Sequence, residues 1–228
     1  MSAAPTIAAI VPIHNGAAHI ADALQSIRAQ RHAVNEVIVV DDGSTDGTAD
    51  YVRRIEPRAV IITLERNGPA VARNVGARRA VSDWLGFLDH DDVWPPDRTS
   101  ALVEGITKTP HVGLIYGRLR IEAMQSTVVD ARRRAADGMQ VPFVFPAALI
   151  RRSLWIEAQG MNEKLHAAED VELYLRLRDC GLTVAAIDAV TLIYRQHSGN
   201  LSRSVKLNHA SLLATMHATA VRRRTTPR

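Results

Sequence analysis

Short apolar runs alternate with amphipathic stretches along the first half of the chain. Ile7 to Val11 is apolar and β-branched, stops at Pro12, and predicts a strand. Ala17 to Gln30 carries Ile20, Leu24 and Ile27 at helical spacing and predicts a helix. The pattern then repeats: strand at Glu36 to Val40, short helix at Thr48 to Ile55, strand at Ala59 to Leu64. Asn67-Gly68-Pro69 opens another helix, with Pro69 suited to its first turn. Trp84 to Leu88 is a fourth strand, Pro95-Pro96-Asp97 breaks the chain before a further helix, and Val112 to Tyr116 is a fifth strand. This alternation predicts an α/β fold with a mostly parallel, Rossmann-like sheet flanked by helices.

Beyond Gly117 the alternation is lost. Met124 to Val141 is polar, Arg-rich and weakly periodic, and reads as a long loop of the kind that serves as a lid. Order returns at Phe143 to Ile150. A helix is expected from Glu169 or Asp170 to Cys180, with Val171, Tyr174, Leu175 and Arg178 on one face and Gly181 as its stop. Thr183 to Tyr194 is a β-branched run, and Lys206 to Val221 has a helical pattern. The expected organisation is residues 1–117 as one half, 118–203 as a second half of the same domain, and 204–228 as a helix with a basic tail.

Two of the strands end in acid. Glu36 to Val40 runs into Asp41-Asp42-Gly43-Ser44-Thr45-Asp46, and Trp84 to Leu88 into Asp89-His90-Asp91-Asp92. Ser44 or Asp46 can be explained as the N-cap of the next helix, but Asp41 and Asp42 cannot. In an open α/β sheet, ligands bind outside the carboxyl ends of the strands, so the two clusters can face one crevice. Three carboxylates within four residues repel one another unless a cation or a set of donors compensates them. A hard divalent ion such as Mg²⁺ or Mn²⁺ is the natural candidate.

Composition narrows the class. The 228 residues are 46% hydrophobic, which suits one substantial core. The first five residues lack a charged n-region and a long apolar run, so no signal peptide is expected. No apolar run is long enough to span a bilayer. The single cysteine, Cys180, is expected to be a small buried residue, and a cytoplasmic location fits. The net charge is +4, with arginines concentrated at Arg118, Arg120, Arg132-Arg133-Arg134, Arg151, Arg152 and in the tail at Arg222, Arg223, Arg224 and Arg228. That distribution suits an anionic acceptor, or peripheral contact of the tail with the inner face of an acidic membrane. With aromatics at 4% and no recognised binding motif, nucleic acid is not an expected partner.

Taken in order, Ile10-Val11-Pro12-Ile13-His14-Asn15-Gly16, Val39-Val40-Asp41-Asp42-Gly43-Ser44, Asn67-Gly68, Ala72-Arg73-Asn74-Val75-Gly76, Phe87-Leu88-Asp89-His90-Asp91-Asp92, Ala168-Glu169-Asp170 and Tyr194-Arg195-Gln196-His197 with Asn200 and Ser202 resemble the family 2 glycosyltransferases. The resemblance runs from residue 7 to about residue 203. It implies a GT-A fold with a C-terminal acceptor-side region. It implies an inverting, metal-assisted transfer of one sugar from a nucleotide-diphosphate sugar, expected to be UDP-linked, to an acceptor hydroxyl. By the same resemblance Pro12, His14, Asn15, Asp41, Asp42, Asn67, Gly68, Arg73, Asn74, Asp89 and His90 border the nucleotide-sugar pocket. Asp42 reads the base. Asp89 and Asp91 form a DxD motif, with Asp89 towards the ribose. Asp91, Asp89 and His197 surround Mn²⁺ or Mg²⁺, and Asp170 is the general base. Many relatives have a small residue where this chain has His90. Without membrane helices, a processive membrane-embedded synthase is not expected.

Asp170 sits where a helix dipole would depress its basicity, and Glu169 is better explained by the helix terminus than Asp170 is. An oxidoreductase is disfavoured because Pro12-Ile13-His14-Asn15-Gly16 lacks the Gly-rich phosphate turn. A metal-dependent nucleotidyltransferase and an inactive nucleotide-sugar-binding module stay open as alternatives.

Overall fold

The computed structural model describes residues 4–124, 136–165, 168–197, 215 and 219. Residues 125–135 of the expected lid, Arg132-Arg133-Arg134, Asn200, Ser202 and the basic tail lie outside them, as does the expected helix from Lys206 apart from Thr215 and Thr219, both helical.

One seven-stranded sheet runs through the described chain. Its elements are β1 (Ile7–Ile13), α1 (Ile20–Arg28), β2 (Glu36–Asp42), α2 (Thr48–Ile55), β3 (Val60–Leu64), α3 (Pro69–Arg79), β4 (Trp84–Phe87), α4 (Arg98–Lys108) and β5 (Leu114–Ala123). A 3₁₀ turn (Phe145–Ala147), β6 (Ala148–Arg151), α5 (Arg152–Glu157), α6 (Glu169–Asp179) and β7 (Val184–Gln196) complete it. The strand order is β3-β2-β1-β4-β6-β5-β7. All pairings are parallel except those of β6, which runs antiparallel to β4 and β5.

Burial follows strand periodicity. All seven residues of β1 are buried, as expected of a strand covered on both faces. Ala8 and Ile10 point to one layer, with Ile38, Val40, Phe87 and the small residues of α3. Ala9 and Val11 point to the other, with Ile20, Leu24 and Ile27 of α1. Gly76 lets α3 sit directly on β1, since a Cβ there would run into Ile10.

Several boundaries differ from the sequence expectation. β1 does not stop at Pro12 but continues to Ile13. The carbonyl of Ile10 faces β4, accepting from Leu88 N, and the next position on that side is the proline nitrogen. The β1–β4 register ends at Ile10–Phe87, so the missing N–H falls where there is no partner strand. β5 continues past Tyr116 to Ala123, and residues 136–141 pack back on it: Gly138 N donates to Leu119 O and Ile121 N to Asp137 Oδ1. The buried residues of α6 are Glu172, Leu173 and Leu177, with Tyr174 partly buried against the same core. Cys180 follows that helix as its C-cap and is exposed, not buried. Among the described residues no helix is long and apolar enough to cross a membrane.

Candidate functional site

The end of β2 organises the first part of the site. The Asp42 carboxylate accepts Asn67 N at 2.7 Å and Gly68 N at 2.8 Å, so it fastens the loop that starts α3. Gly68 has φ +96, a conformation that favours glycine, and Pro69 opens the helix behind it. His14 Nδ1 lies 2.9 Å from Asp42 O. Asn15, itself at φ +50, accepts Thr45 N on its side chain and donates its own N–H to Ser44 Oγ. Asp41 accepts Ser44 N at 3.0 Å. Asp46 accepts the Thr48 hydroxyl and the N–H of both Ala17 and Thr48, which hold its pKa below the ordinary value despite the opposing cost of burial. His14, Asn15, Asp41, Asp42, Asn67 and Gly68 therefore meet at one end of the sheet.

The acidic turn after β4 stands beside it. Arg195 of β7 ties it down: its N–H donates to Asp92 Oδ1 at 2.8 Å, its Nε to Asp91 O at 2.5 Å, and Nη1 to Asp22 at 2.6 Å. Asp92 is 1% exposed, and burial, with Asp91 and Asp89 adding repulsion, drives its pKa well above the usual carboxylate range. Asp91 Oδ2 lies 2.9 Å from His197 Nε2. The His197 ring packs on His19, centroids 4.8 Å apart. Burial, then His197, lowers the His19 pKa. His90 packs over Gly16, where a Cβ would meet its ring.

Arg73 links this turn to α6. Nη2 donates to Asp89 Oδ1 at 2.6 Å and Nη1 to Glu169 Oε1 at 3.4 Å. Burial opposes the charge on Arg73, but Asp89 and Glu169 outweigh it and its pKa is raised. A cleft of about 170 Å³ opens here, lined by the polar Arg73, Asp89, Glu169 and Asp170 and by the apolar Phe145, Pro146 and Met161. Asp170 accepts Val171 N at 2.8 Å. The helix dipole does not decide its basicity: burial, then Glu169, raises its pKa to about 6. That reverses the direction expected from its position in the first turn. Asn74 is 2% exposed and spends its amide away from the acidic turn, on Met161 and Glu163.

A model described as "Glycosyl transferase family 2" matches residues 8–162. The chain belongs to glycosyltransferase family 2. It is 28% identical over 245 residues to the succinoglycan biosynthesis protein ExoO of Rhizobium meliloti (strain 1021), covering 96% of this chain and 69% of that one. It is 39% identical over 104 residues to the putative teichuronic acid biosynthesis glycosyltransferase TuaG of Bacillus subtilis (strain 168), covering 44% and 41%. Among solved structures it resembles the mannosyltransferase PcManGT from Pyrobaculum calidifontis in complex with GDP-Man and Mn²⁺ (TM-score 0.75, 23% identity, 97% of this chain, 65% of that one). It also resembles S. aureus TarS 1-349 in complex with UDP-GlcNAc (TM-score 0.74, 20% identity, 95% and 66%). These likenesses establish the GT-A fold. The chain spans under two thirds of several relatives, 41% in the case of TuaG.

The family's use of divalent metals is testable on this donor set. Among the described residues no group of three His, Cys, Asp or Glu side chains is arranged to hold an ion. Asp91 and His197 offer one oxygen and one nitrogen at one place. A cation that takes most of its ligands from a diphosphate and water needs only one or two from the protein, so the pair fits. Asp89 does not join them in such a group, and its carboxylate is held by Arg73. Sequence reasoning missed Arg195, His19 and the Arg73–Glu169 contact. Tyr194-Arg195-Gln196-His197 contained a signal for Arg195, but nothing local marks His19.

Proposed function

We propose that this glycosyltransferase domain transfers one sugar from a nucleoside-diphosphate sugar to an acceptor hydroxyl with inversion at the anomeric carbon. The observation that carries the reading is one cleft lined by Asp170 together with Asp89 and Arg73. A carboxylate whose pKa is raised to about 6 by burial is ionised near neutral pH and still basic enough to accept a proton. Asp170 takes the acceptor's proton as its oxygen bonds to C1. The bond from C1 to the diphosphate oxygen breaks on the opposite face, and the electron pair leaves with the nucleoside diphosphate. Asp41, Asp42, His14 and Asn15, with Asn67 and Gly68, border the nucleotide. Asp91 and His197 would hold Mn²⁺ or Mg²⁺, which when bound supplies positive charge to the leaving diphosphate. Arg73 orients Asp89 through the contact from Nη2.

UDP is the first nucleotide to test, following TarS solved with UDP-GlcNAc, and GDP the competitor, following PcManGT solved with GDP-Man. The names of ExoO and TuaG support a glycan or glycan precursor as acceptor. The test is a panel of UDP-, GDP- and dTDP-sugars with Mn²⁺, read by nucleotide release and by the anomeric configuration of the product. Metal-dependent release with one nucleotide and an inverted product supports the reading. A retained anomer, or no release with any donor, overturns it.

A further inference from the structure

One short turn, residues 158–163, is held from two helices at once. From α3, Asn74 Nδ2 donates to Met161 O at 2.8 Å and to Glu163 Oε1 at 3.0 Å, and Asn74 Oδ1 accepts Met161 N at 2.8 Å. From α6, Arg176 donates to Ala158 O through Nη1 and to Gly160 O through Nη2 at 2.7 Å. Glu172 orients that guanidinium with contacts of 2.8 and 3.1 Å. The turn also rests on Trp155, whose carbonyl accepts Gly160 N and whose ring packs 4.5 Å from Phe87. Gly160 has φ +67, and a Cβ there would strike Asn74 Oδ1, so backbone and amide fit only with glycine.

Among the described residues, few polar contacts fix the first turn of α6. Its N-cap, Ala168, makes no side-chain cap bond, and the Arg73–Glu169 contact is 3.4 Å long. We infer that Asn74 and Arg176 are positioning residues that, through the 158–163 turn, set where Asp170 stands relative to α3 and Asp89. The inference rests on the reading of Asp170 as the base. Arg73 and Asn74 are adjacent on α3, so one dipeptide holds the acidic turn with one side chain and the approach to α6 with the other. Orientation is a large part of catalysis, and a displacement of about 1 Å costs on the order of 10²-fold.

Asn74→Asp keeps the shape but sets an acceptor against Met161 O and the Glu163 carboxylate. It should lower kcat on the order of 10²-fold while UDP affinity by calorimetry with Mn²⁺ stays within about twofold. Adding Glu163→Gln to that variant restores a donor across the contact and should recover much of the rate. Arg176→Met is the second variant, should Asn74→Asp fail to fold. It should show the same split between kcat and affinity. Unchanged kcat in a folded variant overturns the inference. So does a parallel loss of UDP affinity, which would make Asn74 part of the nucleotide wall. If the wild type transfers no sugar from any donor, the reading of Asp170 fails separately. Amide exchange in residues 169–173 then decides the mechanical claim: faster exchange in the variants supports it and unchanged exchange overturns it.

Discussion

His197 Nε2 lies 2.9 Å from Asp91 Oδ2, which joins the end of β7 to the acidic turn after β4. If this pair receives the metal, its loss should be felt only when metal is present. Asp91→Ala should weaken UDP binding roughly tenfold or more in Mn²⁺ buffer, about 1.4 kcal/mol or more, and leave binding in EDTA unchanged. His197→Ala should be milder, since a carboxylate is the harder ligand. Calorimetry with and without metal checks this, and equal losses in both buffers would refute it.

Beside its proposed contact with the nucleotide base, Asp42 fastens a loop. Its two oxygens hold Asn67 N and Gly68 N, the entry to α3. Asp42→Ala leaves both N–H groups without that acceptor, at roughly 1 to 3 kcal/mol each. It should reduce nucleotide affinity with or without metal and also lower the melting temperature by several degrees. Asp42→Asn retains one acceptor and should fall between. A variant that loses affinity at wild-type melting temperature would separate base reading from loop fastening and contradict this account.

Much of this arrangement was legible in the sequence, and the rest for physical reasons was not. β1, β2 and β4 are buried on both faces, so their apolar runs are continuous and easily recognised. Arg118 to Glu122 alternates polar and apolar in strand period, but the strand expected from the sequence ended at Tyr116. α5 spans six residues, too few to display a helical face. The acidic motifs mark the candidate site, while the contacts that shape it join distant positions. Arg195 reaches Asp22 across 173 residues of sequence, and Asn74 reaches Met161 across 87. The basicity of Asp170 was misjudged because a helix dipole can be inferred from position, whereas burial depends on the packed fold.

Arg98 offers a test of the scaffold. It is fully buried, stacks 3.7 Å from the Trp94 ring centroid, and donates to Thr191 O at 3.0 Å and Ala148 O at 2.7 Å. Burial lowers its pKa to about 9. Arg98→Met removes a costly buried charge but strips both carbonyls of a donor. The second effect should win, at about 2 to 4 kcal/mol, since each unmet carbonyl costs roughly 1 to 3. That corresponds to a melting point lower by roughly 5 to 15 °C. Arg98→Lys cannot reach both carbonyls with one amine and should recover only part. A wild-type melting point for Arg98→Met would show that the charge costs as much as its bonds return.

The last prediction concerns Asp170 and pH. Burial, then Glu169, raises its pKa from 3.8 to about 6 in the folded chain. A general base must be ionised, so transfer at low substrate should fall as pH drops through about 6. Stability has the opposite sign. The folded state binds this proton more tightly than the unfolded chain, so the contribution of Asp170 to stability is fully present below pH 3.8 and is lost as pH rises towards 6. Asp170→Asn keeps the acceptor for Val171 N but cannot titrate. It should cost on the order of 10² to 10⁴ in rate, with donor affinity little changed. It should also melt higher than wild type at pH 7 and lose that advantage near pH 4. Glu169→Gln removes the repulsion, so it should move the acid limb of the rate profile to lower pH while retaining most of the rate. If Asp170→Asn transfers sugar normally while Glu169→Gln does not, the two carboxylates exchange roles. If both retain the rate, the proton goes elsewhere, and the raised pKa of Asp170 reflects its burial alone.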